Sequence, residues 1–153
     1  MAVSAMDRVG WRGVTIDRRT KRALEWAEER AGVTLSPSQG SWSTSVGASG
    51  STHAGSGAVD LRTAFYSDRQ RKRVVHALKD AGFAVWYRRP SAIWGPHLHA
   101  VLVGSQQASS AARWQMGEYD QRRSGLSSGG ADRTYRPSPP VRFNFAKRKP
   151  VPR

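Results

Sequence analysis

"GPHLHAVLVG", residues 95–104, decides the fold. Its apolar run has the length of a strand and is bounded by Gly95-Pro96 on one side and Gly104 on the other. Side chains alternate across a strand, so His97, His99, Val101 and Val103 face one way while Leu98, Ala100 and Leu102 face the other. Both imidazoles therefore point at the same place. One buried histidine is ordinarily a hydrogen-bonded core residue, but two on one face need partners in the same small volume. A hydrogen-bonded core pair, a metal site and a catalytic pair are all open readings.

Upstream, "FAVWY" (83–87) reads as a second strand. Strands that follow one another after a helix predict an antiparallel α+β arrangement. A first helix is expected over roughly 17–31, capped by Asp17 and stopped by Gly32, with Ala23, Leu24, Ala27 and Ala31 inward. "VTL" (33–35) looks like a short strand. A second helix is expected over about 67–80, with Val74, Val75 and Leu78 inward and His76 at the surface. The fold class is thus α+β, a small antiparallel sheet with two main helices.

Between Ser36 and Gly57, Ser and Gly fill 13 of 22 positions, which predicts a loop, yet the segment carries Trp42 and His53. It runs into "AVDLR" (58–62), a strand with Ala58 and Asp60 on one face. The character changes after Gly104. Residues 1–104 are expected to form the domain proper, and 105–153 a basic, Pro- and Ser-rich extension with one short helix, packed on it or partly ordered.

Cysteine is absent, so a metal site must come from four histidines and eleven carboxylates. His53 and Asp60 are the candidates nearest in character to the histidine pair. A carboxylate on the inner face of an apolar strand is costly unless it is paired or metal-bound; the alternative partners are Arg62 and Arg88.

The net charge of +14 divides evenly about Gly104 and draws the chain to polyanions such as nucleic acid, wall teichoic acids or anionic lipids. No helix-turn-helix, zinc-finger spacing or aromatic RNA-binding motif accompanies it, which disfavours nucleic acid. The start lacks the apolar run of a Sec signal, and no stretch is long and apolar enough to span a bilayer.

"STHAGSGAVDL" (51–61) resembles the first zinc motif, SxHxxGxAxDL, of D-Ala-D-Ala carboxypeptidase-type metallopeptidases and the phage endolysins related to them. Ser51, His53, Ala58, Asp60 and Leu61 match, while Ser56 stands where the family has glycine. The strand HxH motif is similar to that of penicillin-insensitive murein endopeptidase and of the wider group that includes lysostaphin-type enzymes and hedgehog domains. The resemblance spans roughly residues 15–104.

It implies one Zn2+ per chain held by His53, Asp60 and His99, with His97 as the catalytic auxiliary. It also implies a hedgehog/metallopeptidase-like fold and peptidoglycan stem peptides as substrate. The bond cut stays open between cross-links, the L-Ala to D-Glu stem bond and a terminal D-Ala. Action at the bacterial wall without a Sec signal implies phage-type release or virion association.

Two departures stand out. No carboxylate lies between Asp80 and Glu118, so the proton work falls to His97 or to a residue such as Glu118 or Asp120. Where the family often has an Arg in an "SGYR"-like segment, this chain reads "SQGSW" (38–42), leaving Gln39 as the polar substitute. Gln39, Trp42 and Trp94 are the substrate-binding candidates, with Tyr87 a further cleft-lining candidate. The competing expectations are a catalytically inactive wall-binding or virion protein and, more remotely, a basic nucleic-acid-binding protein.

Overall fold

A computed structural model describes residues 3–44 and 51–153. Strands Arg8–Trp11 (β1) and Val14–Asp17 (β2) form an antiparallel hairpin turned by Arg12 and Gly13, both at positive φ. Asp17 then caps the helix Arg18–Ala31 (α1), accepting from the Thr20 N–H at 2.8 Å and the Thr20 hydroxyl at 2.7 Å. Such a cap is worth about 1 kcal/mol. Gly32, in the left-handed region, ends the helix.

Pro37–Gln39 (β3) and Ala58–Arg62 (β4) follow, with a 3-10 turn at Thr52–Ala54 before β4. The helix Asp68–Asp80 (α2) starts on a Ser67–Gln70 capping box. Phe83–Arg88 (β5) and His97–Leu102 (β6) complete a four-stranded sheet of order β3-β4-β6-β5, antiparallel throughout. The helix Ser110–Asp120 (α3) and a hairpin of Val141–Asn144 (β7) and Lys149–Pro152 (β8) finish the chain.

Period-two alternation divides the sheet into two working faces. Val59, Leu61, Val85, Leu98, Ala100 and Leu102 pack with Ala23, Leu24 and Ala27 of α1 and with Val74 and Leu78 of α2 in the main core. Each fully buried leucine there contributes roughly 1.5–3 kcal/mol. On the opposite face, Ala58 and Val101 pack under Ala108 and Ala112, while Ala84, Trp86 and Val103 pack with Tyr119. Asp60 and His99 lie between these two small clusters, in register on adjacent strands. The α+β class and the antiparallel sheet are as the sequence predicts, and α3 lies in the extension where a short helix is expected.

One local expectation is corrected. Residues 33–35 form no strand, because the Leu35 N–H is taken by the Glu28 carboxylate at 2.6 Å and its carbonyl by Arg12 Nη1 at 2.6 Å. The strand begins two residues later, at Pro37. The first residues carry a hairpin that the sequence did not announce.

The last residues form a second hairpin. It is anchored by Phe143 in the main core and by Arg19, which donates to the carbonyls of Phe143 and Val103 at 3.0 Å each. The expected loop at 36–57 includes 45–50, which lie outside the described residues. Among the described residues, no helix is long and apolar enough to cross a membrane.

Candidate metal centre

Three side chains meet where β4 and β6 run together. Asp60 and His99 are register partners on the two strands, and the 3-10 turn lifts His53 over them. Ligand atoms of His53, Asp60 and His99 all lie within 4.8 Å of one another, and all three residues are buried. This group could hold a metal ion.

His53 is fully buried, and its orientation is fixed from one side. Nδ1 lies 2.8 Å from the Gly40 carbonyl oxygen, which can only accept, so Nδ1 carries the proton. In the neutral ring Nε2 is then a bare lone pair. It faces Asp60 Oδ1 at 3.3 Å and makes no hydrogen bond there. A buried imidazole nitrogen with no hydrogen-bond partner beside a carboxylate is an unsatisfied polar atom that a cation would satisfy. The donor set, two imidazoles and a carboxylate with no thiolate, fits such an ion.

Gly40 is placed by contact with β2. A Cβ there would meet the Thr15 carbonyl oxygen at 2.3 Å, and the next N–H, of Ser41, donates to that same oxygen at 2.8 Å. Ser56 is buried against Ser105, with the two hydroxyls 2.5 Å apart.

His99 Nδ1 lies 2.8 Å from Asp60 Oδ1 and its Nε2 lies 2.9 Å from Gln115 Oε1 on α3. Burial pushes the Asp60 carboxyl up, but N–H and positive charge presented by the His53 and His99 rings outweigh that effect and hold it well below the usual carboxylate range; in the metal-free protein such a proton occupies the place a metal ion would take. Asp60 is therefore a carboxylate, ready as a ligand.

His97 stands beside this group rather than in it. Its Nδ1 donates to the Gly95 carbonyl at 2.9 Å, leaving Nε2 as the lone pair, 3.8 Å from Asp60 Oδ2. Together with Gln39, Asp60, Arg62, Phe65 and Trp94 it lines a cleft of roughly 320 Å³. Trp94 packs edge-on to His97 with ring centres 6.0 Å apart, and the Arg88 guanidinium covers the Trp94 ring at 4.1 Å. Gln39 and Trp94 thus share the cleft with His97. Trp42 lines an adjoining groove that shares Ser38 and Gln39, beneath the Arg8 guanidinium.

Several sequence alternatives take other places. Tyr87 is opposite Leu98, on the other face of the sheet, where Arg71 covers its ring, so it does not line the cleft. Arg62 donates to the Pro37 carbonyl at 2.7 Å and Arg88 lies over Trp94, so the partners of Asp60 are histidines rather than arginines. Glu118 is paired with Arg123 and Asp120 with Arg153, and neither lines the cleft. Sequence reasoning missed Gln115 and the Gly40 carbonyl. A carbonyl has no residue signature, and Gln115 sits in a helix whose weak amphipathic pattern gave it no mark.

Neither a protein-family model, nor a curated protein, nor a solved structure matches this chain.

Proposed function

We propose that the chain is a zinc-dependent peptidase acting on peptide bonds of bacterial peptidoglycan, as an endolysin-type endopeptidase or a D-Ala-D-Ala carboxypeptidase, on a metallopeptidase-like fold. The observation that carries this reading is the buried His53–Asp60–His99 group opening onto a cleft with His97 Nε2 beside it. His53, Asp60 and His99 would hold the ion, and His97 would not. A bound zinc ion would supply a Lewis acid and a water whose pKa is lowered to about 7.

The chain's own residues do the rest. His97 Nε2 accepts the proton of the attacking water as the new C–O bond forms, and returns it to the departing amine as the C–N bond breaks. The Gly95 carbonyl holds the ring in the tautomer this needs and stabilises its protonated state. Asp60 Oδ2, at 3.8 Å, adds a favourable charge for the imidazolium. Gln39 offers an amide for the substrate backbone, and Trp94 and Phe65 offer apolar surface. Arg62 and Arg88 at the mouth suit the carboxylates of stem peptides, and the overall charge of +14 suits an anionic wall bearing teichoic acids. Action at the cell wall is part of the same proposal.

The test is release of new amino groups from purified peptidoglycan, with and without a chelator, by wild type and His97→Ala. The reading predicts chelator-sensitive release that falls at least about 100-fold in His97→Ala, with metal content retained. Full activity in His97→Ala would overturn the role given to it. One observation favours a second reading, an inactive wall-binding or virion protein: Asp60 is the one carboxylate among the described cleft-lining residues. Metal-loaded protein that binds wall material without releasing amines would select it.

A further inference from the structure

The side of the metal centre facing α3 is closed by a residue that the motifs do not include. Gln115 is buried, and its carboxamide is used in one sense only. Its Nε2 donates to the Gly125 carbonyl at 3.1 Å, so Oε1 is the atom left facing His99 Nε2 at 2.9 Å. An amide oxygen accepts and does not donate. His99 must therefore present Nε2–H to Gln115, so that Nδ1 is the ring nitrogen left to a metal ion once any proton it shares with Asp60 is displaced. Nδ1 is the atom directed at Asp60.

Without this acceptor the opposite choice would be favoured. With no acceptor at Nε2, a neutral imidazole with a carboxylate 2.8 Å from Nδ1 has nowhere else to place its proton. The proton would then occupy the atom a metal needs.

The surroundings keep the carboxamide in this sense. Trp86 lies nearly parallel to the His99 ring, 18° between planes. A Cβ at Gly125 would meet the Trp86 ring at 2.7 Å and Gln115 Cβ at 3.1 Å, so only glycine lets this turn press its carbonyl onto the amide.

We propose that Gln115 is a positioning residue of the metal centre, holding His99 in the Nε2–H tautomer so that Nδ1 is the ligand atom. The proposal rests on the metal-binding reading above for its consequence, and on the hydrogen-bond pattern alone for the tautomer. It makes α3 and the turn at Gly125 parts of the site.

Two variants test it. Gln115→Leu removes the acceptor; Gln115→Glu keeps an acceptor, and a stronger one, while removing the donor to Gly125. Zinc affinity, read by competition with a chromophoric chelator, is expected to fall 10- to 100-fold in Gln115→Leu, roughly the cost of losing an outer-shell partner. In Gln115→Glu it is expected to match or exceed wild type, although the metal-free protein is less stable to heat. A purely structural Gln115 would weaken both variants in step with their thermal stability, and that result overturns the proposal, as does unchanged affinity in Gln115→Leu.

If wild type binds no zinc, the metal reading itself fails. The proton on Nε2 is then still read by long-range 1H–15N spectra of the metal-free protein. An Nε2–H on His99 in wild type that is lost in Gln115→Leu supports the inference; no Nε2–H in wild type overturns it.

Discussion

Nε2 of His53 lies 3.3 Å from Oδ1 of Asp60, out of hydrogen-bonding alignment, while Nδ1 of the same ring is held by the Gly40 carbonyl. The ring is thus aimed from behind by a strand end that is itself seated on β2. Gly40→Ala would drive a Cβ into the Thr15 carbonyl and push the Gly40 carbonyl off the ring. We expect zinc affinity to fall about 10-fold or more, by the usual cost of losing an outer-shell hydrogen bond, as read by chelator competition. Wild-type affinity in a folded Gly40→Ala protein would contradict this role.

Much of this centre was legible in the sequence because strand geometry is simple. Period two alone placed His97 and His99 on one face of their strand and Asp60 with Ala58 on one face of another, while the pairing of those two strands came only with the structure. The capping residue Asp17 marked the first helix for a similar reason: a local hydrogen bond leaves a local signature. What could not be read was non-local. Leu35 leaves the sheet because Glu28 and Arg12 claim its backbone, and Gln115 reaches His99 from sixteen residues away through a packed helix. The C-terminal hairpin hides for a related reason, since its Pro-rich, basic sequence is ordered by Phe143 and Arg19 rather than by its own pattern.

That anchoring sets a stability prediction. Phe143 is buried in the main core although it belongs to the last hairpin. Phe143→Ala should destabilise the protein by about 3–5 kcal/mol in urea unfolding, through lost burial and the cavity left behind. A cost under about 1 kcal/mol would mean that the hairpin is not part of the cooperative core.

Lys79 predicts a pH dependence. Its ammonium is buried against Thr134 Oγ1 at 2.6 Å and near Tyr119, and burial brings its pKa down to about 8 from 10.5. Between about 8 and 10.5 the unfolded chain therefore holds the proton that the folded one has released. Stability contributed by this group must rise with pH across that window and be flat below it. The check is the unfolding free energy of wild type relative to Lys79→Met from pH 7 to 10.5. A difference that falls with rising pH would contradict the burial of the charge.

The central claim is that His53, Asp60 and His99 hold one metal ion and that His97 does not. Zinc content per chain, measured by elemental analysis after incubation with zinc and removal of the excess, tests it most directly in wild type, His99→Ala and His97→Ala. The account predicts about one equivalent in wild type and in His97→Ala and a large loss in His99→Ala. Wild-type protein that retains no zinc, or a His99→Ala protein that retains it all, would contradict it.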